Sequence, residues 1–236
     1  MQIKSTLATF ALLLLAPSAF AENAVDATDK PEAKRNVRVI YHGAPANAPE
    51  KAFLYGASGK FAPVDLRRYE VTENIALPDN GEQFILLPKM LPADKPAPAN
   101  APKVTIPVDW DLCVLLVITD PSNKTFPIRI QPVNASASVF APGEIYWVNL
   151  SEIAVGGKVG EQNLLLKPKT TVLMPAPKKE KGDFYVKLDS LTRGEEKSRW
   201  FVRKSWRHNA RTRQIVFVIP KDPPELAALY VVSFYE

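Results

Sequence analysis

The chain is poor in the residues that carry chemistry. Its 236 residues include one cysteine, two histidines and 10 glycines. A single cysteine forms no internal disulfide, so an exported fold of this sequence must rest on apolar burial. Cys113 lies inside the apolar run 112–118 (LCVLLVI) and reads as a small core residue. His42 and His208 are far apart, and neither stands at zinc-ligand spacing with another histidine or cysteine. No metal or cofactor site is therefore expected. The G-x-S-x-G elbow and the G-x-x-x-x-G-K-[S/T] phosphate loop are both absent. The glycine-rich stretch 156–160 (GGKVG) lacks the phosphate-loop spacing and reads as a turn. Carboxylate pairs such as Asp109/Asp111 and Glu195/Glu196 sit on no recognisable glycosidase scaffold. No long amphipathic helical pattern is present, which disfavours α/β enzymes.

What is present begins with a leader. Lys4 supplies a positive start, residues 7–16 (LATFALLLLA) are apolar, and Pro17-Ser18 interrupt them. Ala19-Phe20-Ala21 then offers a small-x-small cleavage pattern before Glu22. The apolar run falls short of the roughly 20 residues that span a bilayer, and no later run reaches that length. Residues 1–21 are thus expected to be a cleaved signal peptide and 22–35 a flexible tail. The mature chain is expected to be periplasmic, secreted or displayed at the cell surface, with no transmembrane segment.

Twenty-two prolines punctuate short segments rich in Val, Ile, Leu, Phe and Tyr, which is strand signal. In the first half, strands are predicted at 37–42, 52–55, 63–66, 74–76, 83–87, 112–119 and 127–132. The second half offers 144–150, 163–167, 170–174, 184–188, 199–207, 214–219 and 227–234, with a possible helical turn over 223–229. Residues 112–118 are apolar on both faces, as a central strand requires. Six prolines over 88–107 predict an extended loop crossing one end of the sheets. Pro168-Lys169 predicts a tight turn. About seven strands per half, spaced near ten residues, predict an all-β chain of two immunoglobulin-like β-sandwich domains, 36–136 and 137–236. One larger continuous sandwich is the alternative. A faint echo, 37–43 with 52–55 against 145–151 with 155 and 163–166, agrees with a division into halves.

The opening Val37-Arg-Val-Ile-Tyr-His-Gly-Ala-Pro-Ala-Asn-Ala-Pro49, followed by Phe53-Leu-Tyr, resembles a family of bacterial envelope β-sandwich domains. The stretch Tyr146-Trp-Val-Asn-Leu-Ser151, then Ile153-Ala-Val-Gly-Gly157, Trp206 and residues 211–218, is similar to exported proteins of the planctomycete–verrucomicrobial type. These segments touch about a third of the chain. The resemblance implies an envelope location and a sandwich fold, and no activity.

Charge is uneven. Residues 22–136 carry 13 basic against 14 acidic side chains, and residues 137–236 carry 16 against 11. An electrostatic partner should therefore meet the second half. Residues 199–213 (RWFVRKSWRHNARTR) hold six basic residues and no acid. Read as a hairpin turning near 208–210, this stretch places Arg199, Phe201, Arg203 and Arg207 on one face. Trp200, Val202, Lys204 and Trp206 take the other, and Arg211 and Arg213 lie on the return strand. Arg forks and an aromatic ring suit an acidic ligand, so the candidate binding residues are Arg199, Phe201, Arg203, Arg207, Arg211 and Arg213.

The expected function is a non-enzymatic structural or interaction module of the bacterial cell envelope. An acidic glycan or lipid head-group binder comes second and a secreted hydrolase third. Expected partners are envelope proteins or acidic envelope polymers; the location disfavours nucleic acid.

Overall fold

The computed structural model describes residues 35–68, 70–92, 95–177, 181–191, 199–221 and 227–235, and these described residues form sixteen strands and no helix. The predicted leader, the predicted tail up to residue 34, the Glu195/Glu196 pair and most of the predicted helical turn lie outside the described residues.

The first half contains β1 (Asn36–His42), β2 (Lys51–Gly56), β3 (Phe61–Asp65), β4 (Ile75–Ala76), β5 (Gln83–Leu87), β6 (Lys103–Thr105), β7 (Leu112–Thr119) and β8 (Ile128–Asn134). The second contains β9 (Ile145–Asn149), β10 (Ala154–Val159), β11 (Gln162–Leu166), β12 (Thr171–Met174), β13 (Gly182–Leu191), β14 (Arg199–His208), β15 (Thr212–Pro220) and β16 (Ala227–Tyr235). Each half is therefore one strand richer than its sequence suggests. The additional strands are β6, embedded among prolines, and β10, formed by the stretch read as a glycine turn. Only Gly160, at φ 59°, serves the turn that follows β10.

Four four-stranded sheets result. The first half gives β3-β2-β5-β6 and β4-β1-β7-β8; the second gives β11-β10-β13-β14 and β12-β9-β15-β16. The two halves follow one plan: adding eight to each strand number of the first reproduces the second. Both plans include the parallel pairs, β1 with β7 and β9 with β15. Val37 stands between Ile75 and Cys113, as Ile145 stands between Met174 and Gln214.

Alternating side chains sort into layers, because successive residues of a strand face opposite sides. Val37, Val39, Leu115 and Val117 meet Leu54, Val64, Phe84 and Leu86 inside the first sandwich. Ile145, Trp147, Val216 and Val218 meet Val155, Leu166, Phe184, Val186 and Leu188 inside the second. A middle layer joins the two inner sheets, with Ile40, Val114 and Leu116 packed in one cluster with Val148, Ile215, Phe217 and Ile219. This layer explains why β7 and β15 are apolar on both faces. Each inner sheet is covered twice, and Cys113 sits fully buried in the first core, where burial pushes its thiol up to about 12. The all-β, two-sandwich expectation is met.

The proline-rich segment does not merely cross one end of the sheets. It lies over the outer face of β3-β2-β5-β6, where Leu91 and Ala101 join Phe53, Tyr55, Ile85 and Leu87 in a separate apolar cluster. The Tyr55 hydroxyl accepts a hydrogen bond from Leu91 N at 2.8 Å. The first sandwich is therefore roofed. Arg35, assigned to the tail on sequence grounds, belongs to the fold. Its buried guanidinium donates to the carbonyls of Gly81, Ile106 and Pro107 at 2.8, 2.7 and 2.9 Å, tying two loops to the start of β1.

Candidate functional site

The second sandwich repeats the plan, with the connection that corresponds to the roof, between β13 and β14, outside the described residues. Where β2 presents Phe53 and Tyr55 outward to the proline-rich segment, β10 presents Gly156 and Lys158. Loss of the large side chain at Gly156 leaves an open groove of about 450 Å³ on the outer face of β11-β10-β13-β14.

Cross-strand register writes that face as rows. One row runs Leu165, Gly156, Asp189, Trp200 across the four strands. The next runs Asn163, Lys158, Lys187, Arg203. Tyr185 opposite Ser205 and Asp183 opposite Arg207 continue the face along β13 and β14. Trp200 and Leu165 stand at the two ends of their row, 73% and 58% exposed.

The second row places three cations side by side on neighbouring strands. Like charges directly opposite one another destabilise a sheet. Arg203 is partly answered, since its guanidinium pairs with Asp189 and donates to the Leu188 carbonyl at 2.6 Å. Lys158 and Lys187 are exposed.

The basic stretch 199–213 is not a hairpin. β14 pairs with β13, while β15 crosses into the inner sheet between β9 and β16. Residues 209–211 are the corner between sheets. A register shift at Leu188/Asp189 also breaks the simple alternation along β14. Trp200 consequently shares the outer face with Arg203 and Arg207, whereas Phe201 packs against the core of the second sandwich. Arg199 pairs with Ser190 on the other face and is exposed at the edge; Arg211 is exposed in the corner turn.

Arg213 belongs to no surface. It has the parity of Ile215, Phe217 and Ile219, which drives it into the middle layer, and it is 4% exposed. Its guanidinium donates to the carbonyls of Ala135 and Phe140 at 2.5 and 3.2 Å, and its central carbon stands 5.6 Å from the Phe140 ring centroid. Of the six residues chosen from sequence, Arg203 and Arg207 are thus on the site face, and Arg199 and Arg211 are on its margin. Phe201 and Arg213 are structural. The residues missed are Lys158, Lys187, Asp189, Leu165 and Gly156. Alternation alone places Lys187 outward within 184–188, but only long-range pairing puts it beside Lys158 and Arg203.

Backbone geometry holds the groove. The Asn149 side-chain amide nitrogen Nδ2 donates to the backbone carbonyls of Ile153 and Lys167 at 2.8 and 3.1 Å, fixing the start of β10 beside the end of β11. Gly157 has φ 150°, and a Cβ there would stand 2.1 Å from the Lys187 carbonyl oxygen. Gly157→Ala is therefore expected to cost about 1–3 kcal/mol of stability through forced backbone strain. Urea unfolding measures this, and a change below about 0.5 kcal/mol would show that β10 accommodates the methyl group.

Neither histidine lines the groove. His42 ends β1, with its ring 4.5 Å from that of Tyr230; burial and nearby Lys221 hold its pKa down. His208 is 2% exposed beside Phe184. Among the described residues no group of three or more His, Cys, Asp or Glu side chains could hold a metal ion. No described helix is long and apolar enough to cross a membrane. No protein-family model matches this chain, and no curated protein is similar to it.

Proposed function

We propose that the protein is an exported, non-enzymatic binding module of the bacterial cell envelope that holds a polyanionic partner on the outer face of its second sandwich. The row Lys158, Lys187, Arg203 carries this reading. Lys158 and Lys187, adjacent and exposed beside the Asp189-paired Arg203, are like charges that a bridging anion relieves. The leader and the resemblance of the β1 and β9 segments to envelope proteins support the location. The basic balance of residues 137–236 supports the sign of the partner.

The test is retention of the folded protein on an immobilised anionic polymer, eluted with a salt gradient. Lys158→Glu with Lys187→Glu should shift elution to markedly lower salt, because fewer counterions are displaced. The charge-matched double reversal Lys51→Glu with Lys103→Glu, exposed on the first sandwich, should leave elution nearly unchanged. Equal shifts from both would reduce the interaction to net charge and overturn the assignment of this face.

A further inference from the structure

We infer that the outer face of the second sandwich takes an acidic polysaccharide, with one ring stacked on Trp200 and a neighbouring ring over the groove at Gly156; this rests on that face binding polyanions. The charge row alone would suit any polyanion, but the neighbouring row narrows the choice. Trp200 is 73% exposed and stands beside Asp189, which lines the groove. Leu165 closes the opposite side, also exposed. Three strand intervals separate the two, about 14 Å in all. Between them Gly156 leaves backbone as the floor. The groove, about 450 Å³ and open to solvent, is lined by Leu164 and Leu165 and by the polar side chains of Lys158, Asn163 and Asp189, and Trp200 stands beyond it at the end of its row.

The polar groups select a sugar. Asp189 accepts from Arg203 and keeps further acceptor capacity, as a carboxylate has about four lone-pair sites. A carboxylate accepts readily from hydroxyls, which a uronic acid carries and a polyphosphate chain lacks along its length. Asn163, exposed beside Lys158, offers both a donor and an acceptor. The C–H face of one sugar ring lies on the indole, with its hydroxyls at Asp189 and its carboxylate at Lys187, and the next ring over Gly156 meets Asn163 and Lys158. Uronic acids carry this combination of apolar ring face, hydroxyls and a carboxylate.

The experiment compares polygalacturonate, inorganic polyphosphate and neutral dextran as probes of the full mature chain and of Trp200→Ala. The unaltered protein should bind polygalacturonate and polyphosphate and leave dextran in solution. Trp200→Ala, at a surface position, should weaken polygalacturonate binding roughly tenfold, the scale of one lost ring contact. Polyphosphate binding should change by less than about twofold, since every cation remains. Gly156→Val, which fills the floor, should show the same selectivity, with melting temperature confirming the fold of each variant. Equal losses for both polymers, or no loss for polygalacturonate, would overturn the sugar assignment while leaving the polyanion face intact. Binding of polyphosphate without polygalacturonate would do the same. Binding of neither would overturn both.

Discussion

Replacing Phe217 with alanine is expected to lower the free energy of unfolding by about 3–5 kcal/mol. The side chain is fully buried in the layer between the two inner sheets, with its ring 6.5 Å from that of Tyr230. Its counterpart in the first half is Leu116, on the parallel partner strand of β1, and the two belong to one cluster. A cavity there removes contacts from both sheets at once, and neither can collapse into it without shifting strands that also cover a second core. The loss should appear as a lower urea midpoint with one cooperative transition. A change below about 1 kcal/mol would mean that the layer is loosely packed and contributes little.

The second large effect separates arginines that look alike in sequence. Arg213→Ala should destabilise by about 3 kcal/mol, because it strips a charged donor from the buried carbonyls of Ala135 and Phe140. Packing of the guanidinium against the Phe140 ring is lost as well. Arg207→Ala, at an exposed position on β14, should change stability by less than about 0.5 kcal/mol. Thermal or urea unfolding of the pair reads the contrast directly. Comparable effects at the two positions would contradict the placement of Arg213 beneath the surface.

These two residues also show where sequence reading succeeds and where it stops. Local alternation locates most strands, and 83–87 and 112–119 are placed to the residue. It fails where composition masks geometry. β6 is hidden by prolines on either side, and β10 by glycines that are used for close approach as well as turning. Alternation on β15 already aligns Arg213 with Ile215 and Phe217, so its burial was legible once the middle layer was known. The hairpin reading of residues 199–213 fails for a different reason. Strands adjacent in sequence usually pair, but here a three-residue corner sends β15 to another sheet. The candidate site depends on the same long-range information, because Lys158, Lys187 and Arg203 become neighbours only through pairing of β10, β13 and β14. No local pattern connects residues 29 and 16 positions apart.

The roof over the first sandwich bears on how many polymer strands the proposed binding face could engage. The outer sheets lie at opposite ends of a stack of four, separated by three intersheet distances, about 30 Å. Two bare faces at that separation would let one chain grip two polymer strands and cross-link them into a network. With Phe53, Tyr55, Ile85 and Leu87 covered by the proline-rich segment, one end is closed. If the second outer face binds a polymer as proposed, the closed first face offers no matching grip, and the chain is expected to coat a polymer rather than bridge it.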